Sequence, residues 1–221
     1  MTQFGFWRDT KVENRRMLIG QAQQVNNVWW LSPQGGPGPL GGFAGAPAGI
    51  FSTFADLKPN LRSKDIIFLT GVLREQAVAP DGVFDVMVVG AANRPRQATS
   101  GGVPTGGGAY WTAPTSPVAT TPLIELVRAG WTFENICFNP TTSSAAVRLT
   151  RSASVDLIDA SHAQFINCYF VGGGSGQIGI EDNGGCGFVL VDECRFKLLT
   201  GTALLGLTTA AAVPLDWIIR N

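Results

Sequence analysis

Charge is scarce in this chain: only 14% of its 221 residues are Asp, Glu, Lys or Arg, against about 25% in an ordinary globular protein. The 16 basic and 16 acidic residues cancel. The chain therefore lacks an electrostatic footprint for nucleic acid, and no basic run marks an anionic membrane surface. Histidine occurs once, at His162. Cys137, Cys168, Cys186 and Cys194 show neither CxxC pairing nor Cys/His metal spacing. They read as buried thiols, and no metal or cofactor is implied. Long apolar runs are also missing. Residues 202–219 are interrupted by Thr208, Thr209, Pro214 and Asp216, short of the roughly 20 apolar residues a membrane span needs. Residues 1–24 carry Arg8, Asp9, Lys11, Glu13, Arg15 and Arg16 with no apolar stretch behind them, which is not a signal peptide.

What is abundant is apolar surface and glycine. A 45% hydrophobic, 10% aromatic composition excludes a disordered chain, and the length suits one or two domains with a sizeable core. There are 28 Gly and 13 Pro, and residues 17–55 and 97–124 contain no charged side chain. Each silent block holds a Gly/Pro-rich segment, at 33–49 and at 100–117. Neither is expected to form helix or central strand, because Pro removes donors and Gly loses much backbone entropy. Leu40, Phe43, Tyr110 and Trp111 make these blocks unlike flexible polar linkers. Loops of this kind are expected to pack on a neighbour or on the body, and Tyr110 and Trp111 are candidates for a binding surface or interface. Short helices are expected over 11–25 and 51–57, the second capped by Ser52 or Thr53 and stopped before Pro59. Strands are expected over 27–31 and 65–69.

The second half repeats itself. Phe133-Glu-Asn-Ile-Cys-Phe138, Phe165-Ile-Asn-Cys-Tyr-Phe170 and Val191-Asp-Glu-Cys-Arg-Phe196 superimpose without gaps at offsets of 32 and 26 residues. A weaker set, 123–126, 146–149 and 177–180, alternates apolar and non-apolar residues as half-buried strands do. Repeats of 20–50 residues signal stacked units that bury their apolar faces only against each other. Short strands with Gly, Asn, Asp and Ser turns favour an all-β solenoid over helix pairs. Phe138, Phe170 and Phe196 should then form one interior column and Ile136, Cys168 and Cys194 another. Asn135 and Asn167 should form an amide ladder at a turn. Residues 215–221 read as the opening of a further copy, with Ile219 standing where Val191 does 28 residues earlier. No terminal cap is visible, so continuation beyond Asn221, or cover by a partner, is expected.

The entry to these repeats resembles that of right-handed parallel β-helix proteins of the pectate-lyase-like superfamily. Val28-Trp29-Trp30-Leu31 supplies a strand, 34–49 a Gly-rich loop and 51–57 a capping helix. Lys64-Asp65-Ile66-Ile67-Phe68-Leu69-Thr70-Gly71-Val72-Leu73-Arg74-Glu75 supplies the first coil, and 86–90 the next strand. The likeness spans roughly residues 28–221 and is one of pattern. It implies an all-β right-handed parallel β-helix with a short N-terminal arm and a small capping helix. The organisation is then an arm over 1–26, an entry loop and helix over 27–63, and coils over 64–221.

Catalytic candidates are few. His162 is the one possible imidazole base, with Asp156 and Asp159 close in sequence; the same stretch reads equally as a turn between strands. Asp156, Asp159, Glu181, Asp182, Asp192 and Glu193 could supply paired carboxylates for glycoside hydrolysis across successive coils, although acidic residues belong at turns anyway. Lyases of the resembled superfamily use acidic Ca²⁺ ligands and a basic proton abstractor; Arg148 and Arg151 near Asp156 are the nearest approach, and read equally as an ion pair. A neutral, Gly-rich β-helix with an extra N-terminal arm resembles virion proteins of tailed bacteriophages. That likeness implies a tail spike, tail fibre or capsid-surface fibre located in the virion. Phe4, Phe6 and Trp7 would anchor the arm to other virion proteins, and a homotrimer would contact a host surface glycan. The alternative is a polysaccharide lyase or glycoside hydrolase on the same scaffold.

Overall fold

Runs of three to six residues that alternate inward and outward cannot bury their apolar side on their own, so they must align with other runs. The computed structural model shows how. It describes residues 26–33, 49–91, 108–140, 144–152, 158–173, 177–206 and 216–220. Phe4, Phe6, Trp7, the helix expected over 11–25, most of the block at 33–49 and Asp156 lie outside the described residues.

Among the described residues the fold is mostly β, in three parallel sheets of eight, five and five strands. Sheet A has eight strands, in spatial order Ile50–Phe51, Val28–Leu31, Ile66–Leu69, Met87–Gly90, Thr132–Glu134, Gln164–Ile166, Leu190–Asp192 and Ile218–Arg220. Sheet B has five, Gly71–Arg74, Ala109–Thr112, Cys137–Asn139, Tyr169–Val171 and Arg195–Lys197. Sheet C has five, Ala77–Val78, Ile124–Leu126, Ala145–Thr150, Ile178–Asn183 and Leu204–Gly206. From Ile66 onward the chain visits A, B and C in strict rotation, and each return pairs in parallel with the previous circuit. Among the described residues, no helix is long and apolar enough to cross a membrane.

The repeat sets the register. Phe165 lies between Phe133 and Val191, and Phe170 between Phe138 and Phe196. Phe170 stacks on Phe138 at 5.2 Å and on Phe196 at 4.8 Å, and Phe133 stacks on Phe165 at 5.6 Å. Ile219 pairs with Val191 as the repeat requires. In the weaker set, Ile180 rather than Ile178 lies opposite Val147. That shift of two residues leaves the faces unchanged, because strand side chains alternate with period two.

The corners follow one rule. Lys64, Asp85, Gly130, His162, Phe188 and Asp216 each stand two residues before a strand of sheet A, and all have φ between 54° and 79°. Asn135, Asn167 and Glu193 stand two residues before strands of sheet B, again with positive φ. This left-handed conformation turns the chain sharply from one sheet to the next. The Asn167 amide donates to Asn135 Oδ1 at 3.2 Å, and Asn135 donates on to the Gly90 carbonyl at 3.1 Å, so the amide ladder exists. A side chain at Gly90 would collide with the Asn135 carbonyl.

Two acidic residues of the entry coil are structural. Asp65 is fully buried and accepts from the backbone N–H groups of Asn27 and Arg62, the Asn27 amide and the Trp29 indole. Glu75 accepts from the N–H groups of Phe54 and Ala55, the donors a helix start leaves unpaired. The helix is shorter than expected. Ile50–Phe51 is a strand paired with Trp30 and Leu31, and Phe54–Leu57 is the helix, capped by Thr53.

Tyr110 and Trp111 require a correction. Ala109–Thr112 is a central strand of sheet B, and both side chains are buried. The glycine run stops at Gly108, and the four residues after it pair with Gly71–Arg74 on one side and, from Tyr110 on, with Cys137–Asn139 on the other. Trp111 continues the phenylalanine column, with its ring 6.4 Å from that of Phe138, and its indole N–H donates to the Glu75 carbonyl. Neither residue presents a binding surface.

Because Phe170 has aromatic rings on both sides, Phe170→Ala is expected to cost about 3–5 kcal/mol. Urea unfolding should show the corresponding drop in midpoint.

Candidate functional site

Of the polar side chains that sequence reasoning selected, Arg151, Asp159 and His162 meet where sheet C turns into sheet A. Arg151 and Asp159 form an isolated antiparallel bridge, with their side chains 3.9 Å apart and each less than half exposed. The Arg151 guanidinium donates to the Gly185 carbonyl at 3.0 Å and its N–H to the Asn183 carbonyl. The Asp159 carboxylate accepts from both the N–H and the hydroxyl of Ser161, at 2.9 and 2.5 Å. Ser161 Oγ in turn accepts from Gly187 N–H at 2.9 Å. This chain of bonds ties two successive circuits together. It occupies the serine proton with a carboxylate and leaves the hydroxyl buried.

His162 is the corner residue immediately after. Its ring stacks on Phe188 at 5.0 Å and 18°, and its N–H donates to the Gly187 carbonyl. Among the described residues it makes no hydrogen bond to Asp159 or Ser161, so the three do not form a nucleophile, base and orienter relay. Asp156, its other proposed partner, lies outside the described residues.

Glu181 faces outward from sheet C and pairs with Arg148 at 2.6 Å. The neighbouring Glu125 accepts from the Thr150 hydroxyl at 2.7 Å. The structure thus holds Asp159 and Glu181 by different partners, one at the corner and one on the sheet. Among the described residues, no group of three or more His, Cys, Asp or Glu is placed to hold a metal ion.

Asp182 is the unusual carboxylate. Strand alternation turns it inward, in register with Leu149, and it is fully buried. Its Oδ1 accepts from Gly185 and Cys186 N–H, both at 3.0 Å, which closes a turn over the following glycines. Among the described residues its Oδ2 has no N–H or O–H partner, and only the Cys186 thiol stands beside the carboxyl. Burial raises its pKa above the ordinary carboxyl value, and the two N–H bonds, the Cys186 thiol and the Arg151 charge only partly offset that. Burial also pushes the thiols up, Cys137 to about 12 and Cys168 and Cys186 well above their usual range. These three are core thiols without nucleophilic character at neutral pH. Tyr110 and Tyr169 are raised by burial and, secondarily, by Cys137.

Phe188 is the member of this corner that sequence reasoning missed. It is 55% exposed and has φ 54°. Its signal was available in the repeat: it precedes Val191 by three residues, as His162 precedes Phe165. Comparisons with protein-family models, curated proteins and solved structures find no match to this chain.

Asp182 gives a pH test. Below its ordinary value of 3.8 both folded and unfolded chains carry the proton, and Asp182 adds no pH dependence. As pH rises, the unfolded chain ionises first while the folded chain keeps its proton, so stability falls until the raised pKa is passed. Urea midpoints measured from pH 3.5 upward should therefore show Asp182→Asn gaining on wild type as pH rises. A constant difference across that range would contradict the assignment.

Proposed function

We propose that the chain is a right-handed parallel β-helix serving as a structural, host-binding element of a bacteriophage virion, as a tail spike, tail fibre or capsid-surface fibre. The carrying observation is the strict A, B, C rotation with side-chain columns kept in register from one circuit to the next. Parallel crossovers within a sheet are right-handed in about 98% of cases, which favours a right-handed coil. A column-stacked rod is stiff along its axis and accepts insertions at its corners without disturbing the core. The Gly/Pro-rich residues 92–107 are such an insertion in sequence, falling between a strand of sheet A and one of sheet B.

Two of the acidic candidates, Glu181 and Asp159, are held by protein partners, and Asp182 is buried inside the fold, which supports a binding and structural role over a hydrolytic one. Glu181 is paired with Arg148, and Asp159 is hydrogen-bonded by Ser161 and lies beside Arg151. A glycosidase pair needs one carboxyl free to protonate the leaving group. Low charge fits a rod that packs against copies of itself, and the arm over 1–26, with Phe4, Phe6 and Trp7, would join it to the particle.

Native mass measurement of the purified protein, combined with incubation on bacterial capsule and O-antigen preparations, tests this reading. The expected result is a homotrimer that retains polysaccharide and releases no new reducing ends or unsaturated uronates. A monomer that depolymerises the polymer, with activity lost in Glu181→Ala, would establish the lyase or hydrolase alternative instead.

A further inference from the structure

Six corner residues precede strands of sheet A in the left-handed conformation. Asp and Gly, which adopt it readily, fill three of these positions, at Asp85, Gly130 and Asp216. Phe188 is the exception in both shape and chemistry. A bulky aromatic residue is disfavoured at positive φ, and here it also leaves more than half of its surface in water. The core gains little from it, and the turn would form better with Asn or Gly. Strain retained at an exposed position calls for a function.

The surroundings supply one. His162 lies one circuit earlier at the equivalent corner, and its ring is stacked on one face of Phe188. Arg151 and Asp159 stand on the same corner, 45% and 41% exposed, and Arg151 is fastened to Gly185, three residues before Phe188. The result is an aromatic ledge beside one guanidinium and one carboxylate. Among the described residues these offer hydrogen-bond donors and acceptors in which the charges of Arg151 and Asp159 cancel. That combination suits a neutral polyhydroxylated ring better than an anion or a cation.

We propose that the His162–Phe188 corner is a glycan-binding site: the C–H face of a pyranose ring packs on Phe188, and Arg151 and Asp159 bond its hydroxyls. The site rests on the host-binding reading above and names the part of the surface that performs it.

The test uses the full chain and immobilised bacterial lipopolysaccharides and capsular polysaccharides of known repeat unit. Phe188→Asn should weaken binding about tenfold, the loss of one ring-stacking contact. Its thermal midpoint should hold, or rise by about 2–4 °C, because Asn accepts the left-handed corner. Phe188→Tyr should keep binding near the wild-type level. If wild type binds and Phe188→Asn binds equally well, this site is wrong while the host-binding reading survives. A lowered midpoint in Phe188→Asn would make the residue structural and overturn the site as well. If wild type binds none of the polysaccharides, both the site and the host-binding reading fall.

Discussion

The structure depends on a backbone constraint at its corners. Two residues before each strand of sheet A, from Ile66 onward, the chain passes through the left-handed region. The same happens before the sheet B strands that begin at Cys137, Tyr169 and Arg195. Because the turn recurs at one offset from these sheet A and sheet B strands, each circuit re-enters the two sheets in phase with the last, whatever length of chain intervenes. The distance from Met87 to Thr132 differs greatly from that between Gln164 and Leu190, yet both pairs of strands are in register. With phase fixed, like side chains fall over like, and the phenylalanine columns follow. A one-residue slip would reverse every face.

The same constraint builds the candidate site. It places His162 and Phe188 at equivalent corners, so their rings meet, and it brings Ser161 under Gly187. Asp182 then closes the glycine turn that leads into the Phe188 corner. A buried carboxylate with one oxygen lacking an N–H or O–H partner among the described residues, and an exposed aromatic residue at positive φ, are both locally unfavourable. They sit within one short segment of one circuit, and the rigid circuits on either side hold them in place. Local strain of this kind is tolerated because the surrounding columns leave the chain no alternative path.

Much of the fold was legible because a stacked repeat writes its geometry into the sequence. The set from Phe133 to Phe196 gave the right register, the Asn135–Asn167 ladder and the pairing of Ile219. Other parts were hidden for physical reasons. Lys64, Asp85, Gly130, His162, Phe188 and Asp216 share a backbone conformation but no side-chain chemistry, so no residue pattern betrays the column. Trp111 was misplaced because its glycine-rich flank obscured a four-residue strand that only its neighbours complete. The chemistry was less legible still. Asp159, His162 and Glu181 were selected by residue type, whereas their partners, Ser161, Phe188 and Arg148, are set by which circuit stacks on which. Asp65 and Glu75 fall within a sequence pattern, and their roles as a hydrogen-bond hub and a helix cap appear only in three dimensions.

The claim that left-handed corners lock the register is tested most directly at Asn167, whose φ is 49°. The measurement is the urea midpoint of Asn167→Gly compared with Asn167→Val. Glycine keeps the conformation and loses one amide bond, so it should stay near wild type. Valine cannot enter the left-handed region without strain, so its midpoint should drop by the equivalent of about 1–3 kcal/mol. Equal midpoints for the two variants would contradict the account.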